Sequence, residues 1–181
     1  MQKLMLPALA ITIILIAVAS KPAPLNEKKE KIEWLTIQEA QEKNAKEKRP
    51  IIVDLYTDWC GWCKVMDRKT YSNKNVISYV SEKFYAVKMD AETRKDIEFN
   101  GKTYKFNSDA KTHELAIYLG GSGGQMAYPT TVIIPTDGTE PQAIPGYLEV
   151  KDIEPIIKYF GEGQYGKQSF TDFQRNFKAG W

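Results

Sequence analysis

The chain has 181 residues, of which 43% are hydrophobic and 12% aromatic, so it can bury a substantial core and is not a disordered polymer. Its 25 Lys and Arg residues against 23 Asp and Glu residues give a formal net charge of +2, and this near-neutral balance favours no nucleic-acid partner. Two cysteines and one histidine cannot complete a closed four-ligand zinc site within one chain, nor can two cysteines form a disulfide-dense scaffold. The length favours one compact domain.

Residues 1–20 have the three-part pattern of a secretory signal peptide, with Lys3, an apolar run, and small residues at Ala19 and Ser20. Cleavage after Ala19 or Ser20 would release a protein that works outside the cytoplasm, where unprotected thiol pairs tend to oxidise. The alternative is an uncleaved anchor, since about 18 apolar residues begin to span a bilayer, and this segment would then be the link to a membrane. Residues 21–31 are a polar lead-in, and residues 32–181 are predicted to form a single domain.

The first predicted helix and strand precede the cysteines. Thr36 and Glu39 have the spacing of a capping box, so a helix should run from Ile37 to about Lys48. The segment Ile51–Tyr56 is a short, nearly continuous apolar run, which indicates a buried strand. Asp54 lies in the middle of that run, where a carboxylate is out of place.

Beyond the cysteines, apolar spacing predicts helices near residues 61–69, 75–83 and 112–119, and a strand over 85–89. An antiparallel hairpin is predicted from residue 130 to residue 144, with its turn at Asp137-Gly138. Asp152 should cap a further helix, with Pro155 in its first turn. His113 should be a surface residue near the start of the helix predicted over 112–119. A last helix beginning after Ser169 should pack on the domain through its aromatic face, which comprises Phe170, Phe173, Phe177 and Trp181.

Cys60 and Cys63 form a Cys-x-x-Cys pair where the predicted strand gives way to a helix. Cys60 would lie at the helix N-terminus, where free N–H groups and the helix dipole stabilise a thiolate. Cys63, on the same helix face and more buried, would be the resolving thiol that releases a mixed disulfide formed by the nucleophile Cys60. The alternatives are a structural disulfide, which would close a loop too short to stabilise much, and an incomplete metal site made with His113.

The segment Ile51–Lys64, with Cys-Gly-Trp-Cys at its end, resembles the active-site segment of the thioredoxin superfamily, and Met66–Tyr71 and Asn75-Val76 continue it in the style of secreted bacterial thioredoxin-related proteins. Tyr128-Pro129-Thr130 resembles the cis-proline loop of that superfamily, and Pro145-Gly146-Tyr147 its glycine turn after the last strand. The resemblance covers residues 51–160. It implies an α/β thioredoxin fold, a mixed central β-sheet flanked by helices, here with an insert before the cis-proline and an extra C-terminal helix.

The resemblance also implies thiol–disulfide exchange, with the redox-active Cys60–Cys63 disulfide in place of any cofactor or metal. Asp54, six positions before Cys60, matches the buried carboxylate of the superfamily. Burial in an apolar strand should raise its pKa and let it accept the Cys63 proton as general base; a solvent-facing carboxylate is the alternative. Lys88 resembles the lysine near that carboxylate, although a solvated lysine at a strand edge is equally compatible with the sequence.

Six residues around Cys60 are expected to contact substrate. If the bond before Pro129 is cis, the Tyr128 backbone would lie beside the sulfurs, where a client chain can pair with it as an extra strand. For the aromatic side chains, simple packing is the alternative. The six residues are Trp59, Gly61, Trp62, Tyr128, Pro129 and Thr130.

The leading hypothesis is an extracytoplasmic oxidoreductase, periplasmic or secreted, that reduces the disulfides of client proteins. Cytosolic nicotinamide-linked reductases do not act beyond the membrane, so a membrane thiol electron donor would recharge it. Gly61-Trp62 stands where reducing members carry Gly-Pro, and this dipeptide helps to set the redox potential, so the direction of electron flow stays open. A disulfide oxidase or isomerase, a client-binding chaperone without turnover and, more distantly, a metallochaperone are the alternatives.

The 91–127 insert would shape a partner surface or cover the sheet edge.

Overall fold

The computed structural model describes residues 29–121, 126–136 and 139–181. The signal-peptide pattern, most of the lead-in and the predicted Asp137-Gly138 turn lie outside these residues. In chain order the elements are α1 (Ile37–Lys46), β1 (Ile51–Tyr56), α2 (Gly61–Lys69), α3 (Lys74–Lys83), β2 (Tyr85–Asp90), β3 (Ile97–Phe99), β4 (Lys102–Tyr104), β5 (Phe106–Asn107), β6 (Thr112–His113), α4 (Glu114–Gly120), β7 (Thr130–Ile134), β8 (Gln142–Pro145), α5 (Val150–Gly161) and α6 (Phe170–Asn176).

A four-stranded mixed sheet with the order β2-β1-β7-β8 forms the centre of the fold. β1 pairs parallel with β2 and antiparallel with β7, and β7 pairs antiparallel with β8. Because β1 has a neighbour on each side and helices over both faces, five of its six residues are buried, as its apolar run predicts. The predicted mixed sheet flanked by helices is confirmed.

Side chains of β1 alternate between the two faces of the sheet and between two apolar clusters. Val53 and Leu55 belong to the cluster beneath α1 and α4, whereas Ile52 belongs to the cluster beneath α2, α3 and α5. Asp54 differs by two positions from Ile52, so it lies on the face that carries α2 and the cysteines.

The outer edge of β2 is covered by the residue just before the cap of α1. Leu35 forms a parallel bridge with Val87. Its N–H donates to the carbonyl of Ala86 at 2.8 Å, and its carbonyl accepts from the N–H of Lys88 at 3.3 Å. The chain therefore occupies hydrogen-bonding positions along this edge before it turns into α1.

The capping box of α1 is confirmed, since the N–H of Thr36 donates to Glu39 and the N–H of Glu39 donates to Thr36. The helix ends at Lys46, two residues before the predicted Lys48. Its last turn closes with a hydrogen bond from the N–H of Glu47 to the carbonyl of Lys43, and Glu47 is itself extended.

The start of α5 corrects a prediction. Glu149, not Asp152, is the N-cap, and Asp152 is the third helical residue, whose carboxylate accepts from the N–H of Glu149 at 3.1 Å. Pro155 is therefore inside the helix and not in its first turn. Its missing N–H removes the hydrogen bond to the carbonyl of Lys151, which lies on the exposed first turn.

His113 is fully buried, so its predicted surface position is wrong. It ends β6 and caps α4, which begins at Glu114 and not at the predicted residue 112. The Nδ1 atom of His113 accepts from the N–H of Leu115 at 3.1 Å, and its Nε2 atom lies 3.1 Å from the carbonyl oxygen of Lys95. The side chain thus connects the start of α4 to Lys95, near the beginning of the 91–127 insert.

The 91–127 insert contributes two short hairpins, β3–β4 and β5–β6. Phe99 and Tyr104 join the apolar cluster beneath α1, and the side chain of Gln41 on α1 bonds both to the carbonyl of Glu98 and to the N–H of Asn100. The β3–β4 hairpin therefore extends the core along α1. The two predicted roles of the insert, a partner surface or a cover for the sheet edge, stay predictions.

The C-terminal segment packs on α5 around a buried carboxylate. Glu154 has no exposed surface, and its Oε1 atom accepts from Lys158 Nζ and from the N–H of Gly180, both at 2.8 Å. The ammonium of Lys158 also lies over the rings of Phe177 and Trp181, 5.4 and 5.1 Å from their centroids. Phe170 and Trp181 contact the second apolar cluster, so the segment packs on the domain as predicted. The predicted helical face is wrong in part, because α6 ends at Asn176 and Phe177 and Trp181 lie beyond it. We call these groups, Glu154, Lys158 and residues 177–181, the C-terminal clamp.

Within the described stretches, no helix has both the length and the apolar character that crossing a bilayer requires.

Candidate active site

The two cysteines are joined at the start of α2. Their sulfurs are 2.10 Å apart and their Cα atoms 5.3 Å apart. Cys60 is the N-cap residue, and the N–H of Cys63 donates to its sulfur at 3.0 Å. Local sequence produces this placement, because β1 ends at Tyr56 and a turn closed by the Cys60 N–H and the Thr57 carbonyl leads directly into the helix. A sulfur in this position receives the N–H groups and the positive end of the helix dipole, which favour a thiolate.

Both cysteines are buried, with 4% of Cys60 and 3% of Cys63 exposed. Cys63 was predicted to be the more buried of the two, but in this disulfide-bonded form the difference in exposure is negligible. The assignment of Cys60 as nucleophile thus depends on its position at the helix end, and not on a difference in exposure.

Four aromatic side chains, which we call the aromatic rim, stand beside the pair. Trp59 and Trp62 are 67% and 62% exposed, so simple core packing does not account for them. Trp59 contacts Tyr128 edge to face at 5.8 Å, and Trp62 lies against Tyr147 at 5.4 Å. Exposed apolar groups held in fixed positions are typical of protein-binding surfaces. Tyr147 was not among the predicted site residues, although its place after the glycine turn was a signal.

The loop before β7 has the predicted form. The Tyr128–Pro129 peptide bond is cis, and the carbonyl of Pro129 accepts from the N–H of Gly146 at 2.8 Å. Gly146 has φ of +98°, a conformation that favours glycine. Thr130, by contrast, is fully buried and its hydroxyl donates to the carbonyl of Ala127 at 2.7 Å. Its side chain thus holds the loop, which corrects its predicted contact with substrate.

Gly61, the first residue of α2, has an open position beside Cys60. A Cβ atom added there would meet no neighbour within 4 Å. The Cβ position of this residue, which follows Cys60 in the chain, therefore faces open space, and its predicted contact with substrate stays a prediction.

Asp54 and Lys88 form an ion pair beneath α2. They are register partners on β1 and β2, and Lys88 Nζ donates to Asp54 Oδ2 at 2.7 Å. The side chain of Asp54 is only 2% exposed and that of Lys88 23%, and the two contact each other. The alternatives of a solvent-facing Asp54 and a solvated Lys88 are therefore both wrong. Burial raises the pKa of Asp54, and the charge of Lys88 offsets this only in part. The second carboxylate oxygen, Oδ1, is buried and has no hydrogen-bond partner among the described residues.

In the part of the chain that the structure describes, His113 is not available to complete a metal site with the two cysteines. Both ring nitrogens of His113 are already engaged, by the N–H of Leu115 and the carbonyl of Lys95. Across residues 29–121, 126–136 and 139–181, no three His, Cys, Asp or Glu side chains are grouped as metal ligands would be.

Comparison with known proteins places this geometry in a family. The model of the family described as "Thioredox_DsbH: Protein of unknown function, DUF255" matches residues 16–152. The chain belongs to this DsbH-like family. Thioredoxin of Borreliella burgdorferi is 30% identical to it over 112 residues, which are 62% of this chain and 74% of that thioredoxin. Human Spermatogenesis-associated protein 20 is 36% identical over 61 residues, which are 34% of this chain but only 8% of that protein.

Solved structures agree on the fold. The DsbH-like chain superimposes on a DsbH oxidoreductase with a TM-score of 0.54 at 17% identity, covering 80% of this chain and 93% of that one. A thioredoxin from Thermus thermophilus gives a TM-score of 0.55 at 18% identity, covering 75% and 93%. The predicted thioredoxin resemblance is confirmed.

Proposed function

We propose that this DsbH-like protein is an extracytoplasmic thiol:disulfide oxidoreductase that reduces disulfides of client proteins. One observation carries most weight: Cys60 caps α2, and its sulfur receives the N–H of Cys63. This environment favours the thiolate, which is the attacking species in disulfide exchange. The exposed indoles of Trp59 and Trp62 add an apolar surface against which a client segment can pack.

In the reduced enzyme, the Cys60 thiolate attacks one sulfur of a client disulfide and forms a mixed disulfide, and the other client sulfur leaves as a thiolate. Asp54 then accepts the proton of the Cys63 thiol, and the Cys63 thiolate attacks the Cys60 sulfur. The second client sulfur leaves and, like the first, takes a proton from solvent, so the client gains two electrons and two protons. The enzyme is left with the Cys60–Cys63 disulfide seen in the structure.

Asp54→Asn is expected to slow resolution of the mixed disulfide by about 10²-fold, because a positioned base typically contributes at least this much. The initial attack should change far less, since the helix end and not Asp54 activates Cys60. Attack is measured by stopped flow in a Cys63→Ser background, and resolution as decay of the mixed disulfide in protein with both cysteines. Equal slowing of both steps would make Asp54 a structural residue only.

Stability gives an independent check on the same substitution. Burial raises the pKa of Asp54 in the folded protein above its value in the unfolded chain. The free energy of unfolding therefore falls as the pH rises from the unfolded pKa through the folded one, because ionisation of Asp54 favours the unfolded chain. Asp54→Asn removes that loss, and we expect the variant to be at least as stable as the wild type at pH 7 in thermal unfolding. A slower and equally stable variant separates loss of the base from loss of the fold.

Two features support work outside the cytoplasm with a thiol donor. Residues 1–20 have the pattern of a secretory signal peptide, and the cytosolic nicotinamide-linked reductases do not act beyond the membrane. A membrane protein that presents a dithiol would return the Cys60–Cys63 disulfide to the reduced state by the same exchange chemistry.

The reduction potential of the Cys60–Cys63 pair tests the direction of electron flow. The oxidised fraction is measured by alkylation after equilibration with glutathione buffers of defined ratio. We expect a value near the roughly −270 mV of thioredoxin. A value near about −120 mV, typical of strong disulfide donors, would replace the reductase with an oxidase that uses the same cysteines.

A further inference from the structure

Lys88 is shared between two carboxylates. Its Nζ atom lies 2.7 Å from Asp54 Oδ2 and 2.6 Å from Asp67 Oδ1, so the ammonium forms ion pairs with both carboxylates. Its position is fixed by two rings, since Nζ lies 5.2 Å from the Trp34 centroid and 5.0 Å from the Tyr56 centroid. Exposure increases along this chain of contacts, from 2% for the Asp54 side chain to 23% for Lys88 and 40% for Asp67.

We infer, on the basis of the function proposed above, that Asp67 is a positioning residue for the resolving step and acts on Asp54 through Lys88. One ammonium cannot fully neutralise two carboxylates, so the part of its charge that faces Asp67 no longer stabilises ionised Asp54. Asp54 therefore remains a stronger base towards the Cys63 thiol. Asp67 itself exchanges no proton in this step.

Asp67 belongs to the same helix as the cysteine pair, and its carboxylate contacts the same ammonium as that of Asp54. Asp67 lies on α2, the helix that begins with the cysteine pair, whereas Lys88 lies on β2 and Asp54 on β1. The ion pairs thus connect the helix that carries both sulfurs to the two strands beneath it. Burial lowers the pKa of Lys88, but the two carboxylates outweigh this and raise it, so the ammonium stays charged throughout the neutral range.

The other titratable groups facing this cluster come from β1, the loop after it, β2 and the end of α2. Burial raises the pKa of Tyr71 well above its usual value, and its hydroxyl lies 3.2 Å from Thr131 Oγ1. Burial also raises the pKa of Tyr56, with smaller effects of Asp90 and Asp58 in the same direction. Both tyrosines are thus neutral near pH 7, and Asp54 and Asp67 are the acids that contact Lys88.

Asp67→Asn tests the coupling, because it keeps the shape of the side chain and removes its charge. Lys88 then compensates Asp54 alone, so the pH at which resolution reaches half its maximal rate should fall. The maximal rate should fall about 3- to 10-fold, since a weaker base removes the Cys63 proton less effectively. Attack by Cys60, measured in a Cys63→Ser background, should stay within about twofold of the wild type. Asp67→Glu should restore both the midpoint and the rate.

Asp109→Asn is the matched control, because it removes the same charge from an exposed residue of the insert. It should leave the pH midpoint unchanged. A midpoint that does not move in Asp67→Asn, while Asp54→Asn still slows resolution, would overturn the inference and leave the proposed function intact. Loss of the proposed function is a separate result, in which Cys60→Ser retains full disulfide reduction.

Direct titration of the Asp54 carboxyl group provides a readout that does not depend on turnover. Infrared or NMR titration of wild type and Asp67→Asn, both with the Cys60–Cys63 disulfide intact, should show a lower pKa for Asp54 in the variant. An unchanged Asp54 pKa would overturn the inference even if the rate fell. Asp67 has a 40% exposed side chain, so its substitution by an isosteric amide should leave the fold in place.

Discussion

Cys60→Ser is expected to abolish catalysis of insulin reduction by dithiothreitol, so that only the uncatalysed rate remains, and Cys63→Ser is expected to leave the protein covalently attached to its clients. A serine hydroxyl does not ionise at neutral pH, so the first variant has no nucleophile at the helix end. The second variant keeps that nucleophile but lacks the thiol that would attack the Cys60 sulfur from one turn along the helix. Its mixed disulfide should therefore accumulate.

The two variants are compared with wild type by insulin turbidity and by non-reducing electrophoresis of extract exposed to each protein. Adducts with Cys63→Ser should disappear on reduction and be absent with the double variant Cys60→Ser/Cys63→Ser. Equal insulin rates for wild type and Cys60→Ser would favour a client-binding protein without turnover. Adducts that form through Cys63 in the Cys60→Ser variant would reverse the assigned roles.

Glu154→Ala is expected to lower the free energy of unfolding by about 3–5 kcal/mol, the usual cost of removing one partner of a buried ion pair. The substitution leaves the ammonium of Lys158, only 19% exposed, and the N–H of Gly180 without their acceptor. The C-terminal clamp should then open, and the environment of Trp181 should change with it.

Urea unfolding measures this loss, with Glu33→Ala as the matched control. Glu33 also pairs with a lysine four residues away, Lys29, but both side chains are exposed, at 65% and 48%. An exposed pair of this kind contributes about 0.2–1 kcal/mol. Similar effects of the two substitutions would show that the clamp contributes no more than a surface ion pair.

Local sequence was sufficient for the centre of this site. An apolar run with one acid in it identified β1 and Asp54, and the Cys-x-x-Cys spacing identified the capped start of α2. These features depend on residues within one turn or one strand of each other. The start of α5 was missed even so, because glutamate is a weaker N-cap than the aspartate three residues later.

Contacts between distant segments could not be predicted in the same way. His113 is buried because a carbonyl 18 residues away lies against its ring, and nothing in its immediate neighbours indicates that. Asp67 meets Lys88 only because β2 lies parallel to β1 in a register that puts Lys88 opposite Asp54. Tyr147 joins the aromatic rim because the turn at Gly146 returns the chain to α2. Each of these depends on the assembled sheet.

The short stretch ahead of α1 limits how a second copy of the chain could pair with the sheet. Leu35 occupies backbone positions on the outer margin of β2, next to Ala86 and Lys88. Unpaired strand margins are templates on which a second copy can add a strand and begin to aggregate. Leu35 thus covers part of the edge of β2, and an extended client chain would have to pair with the protein at another place.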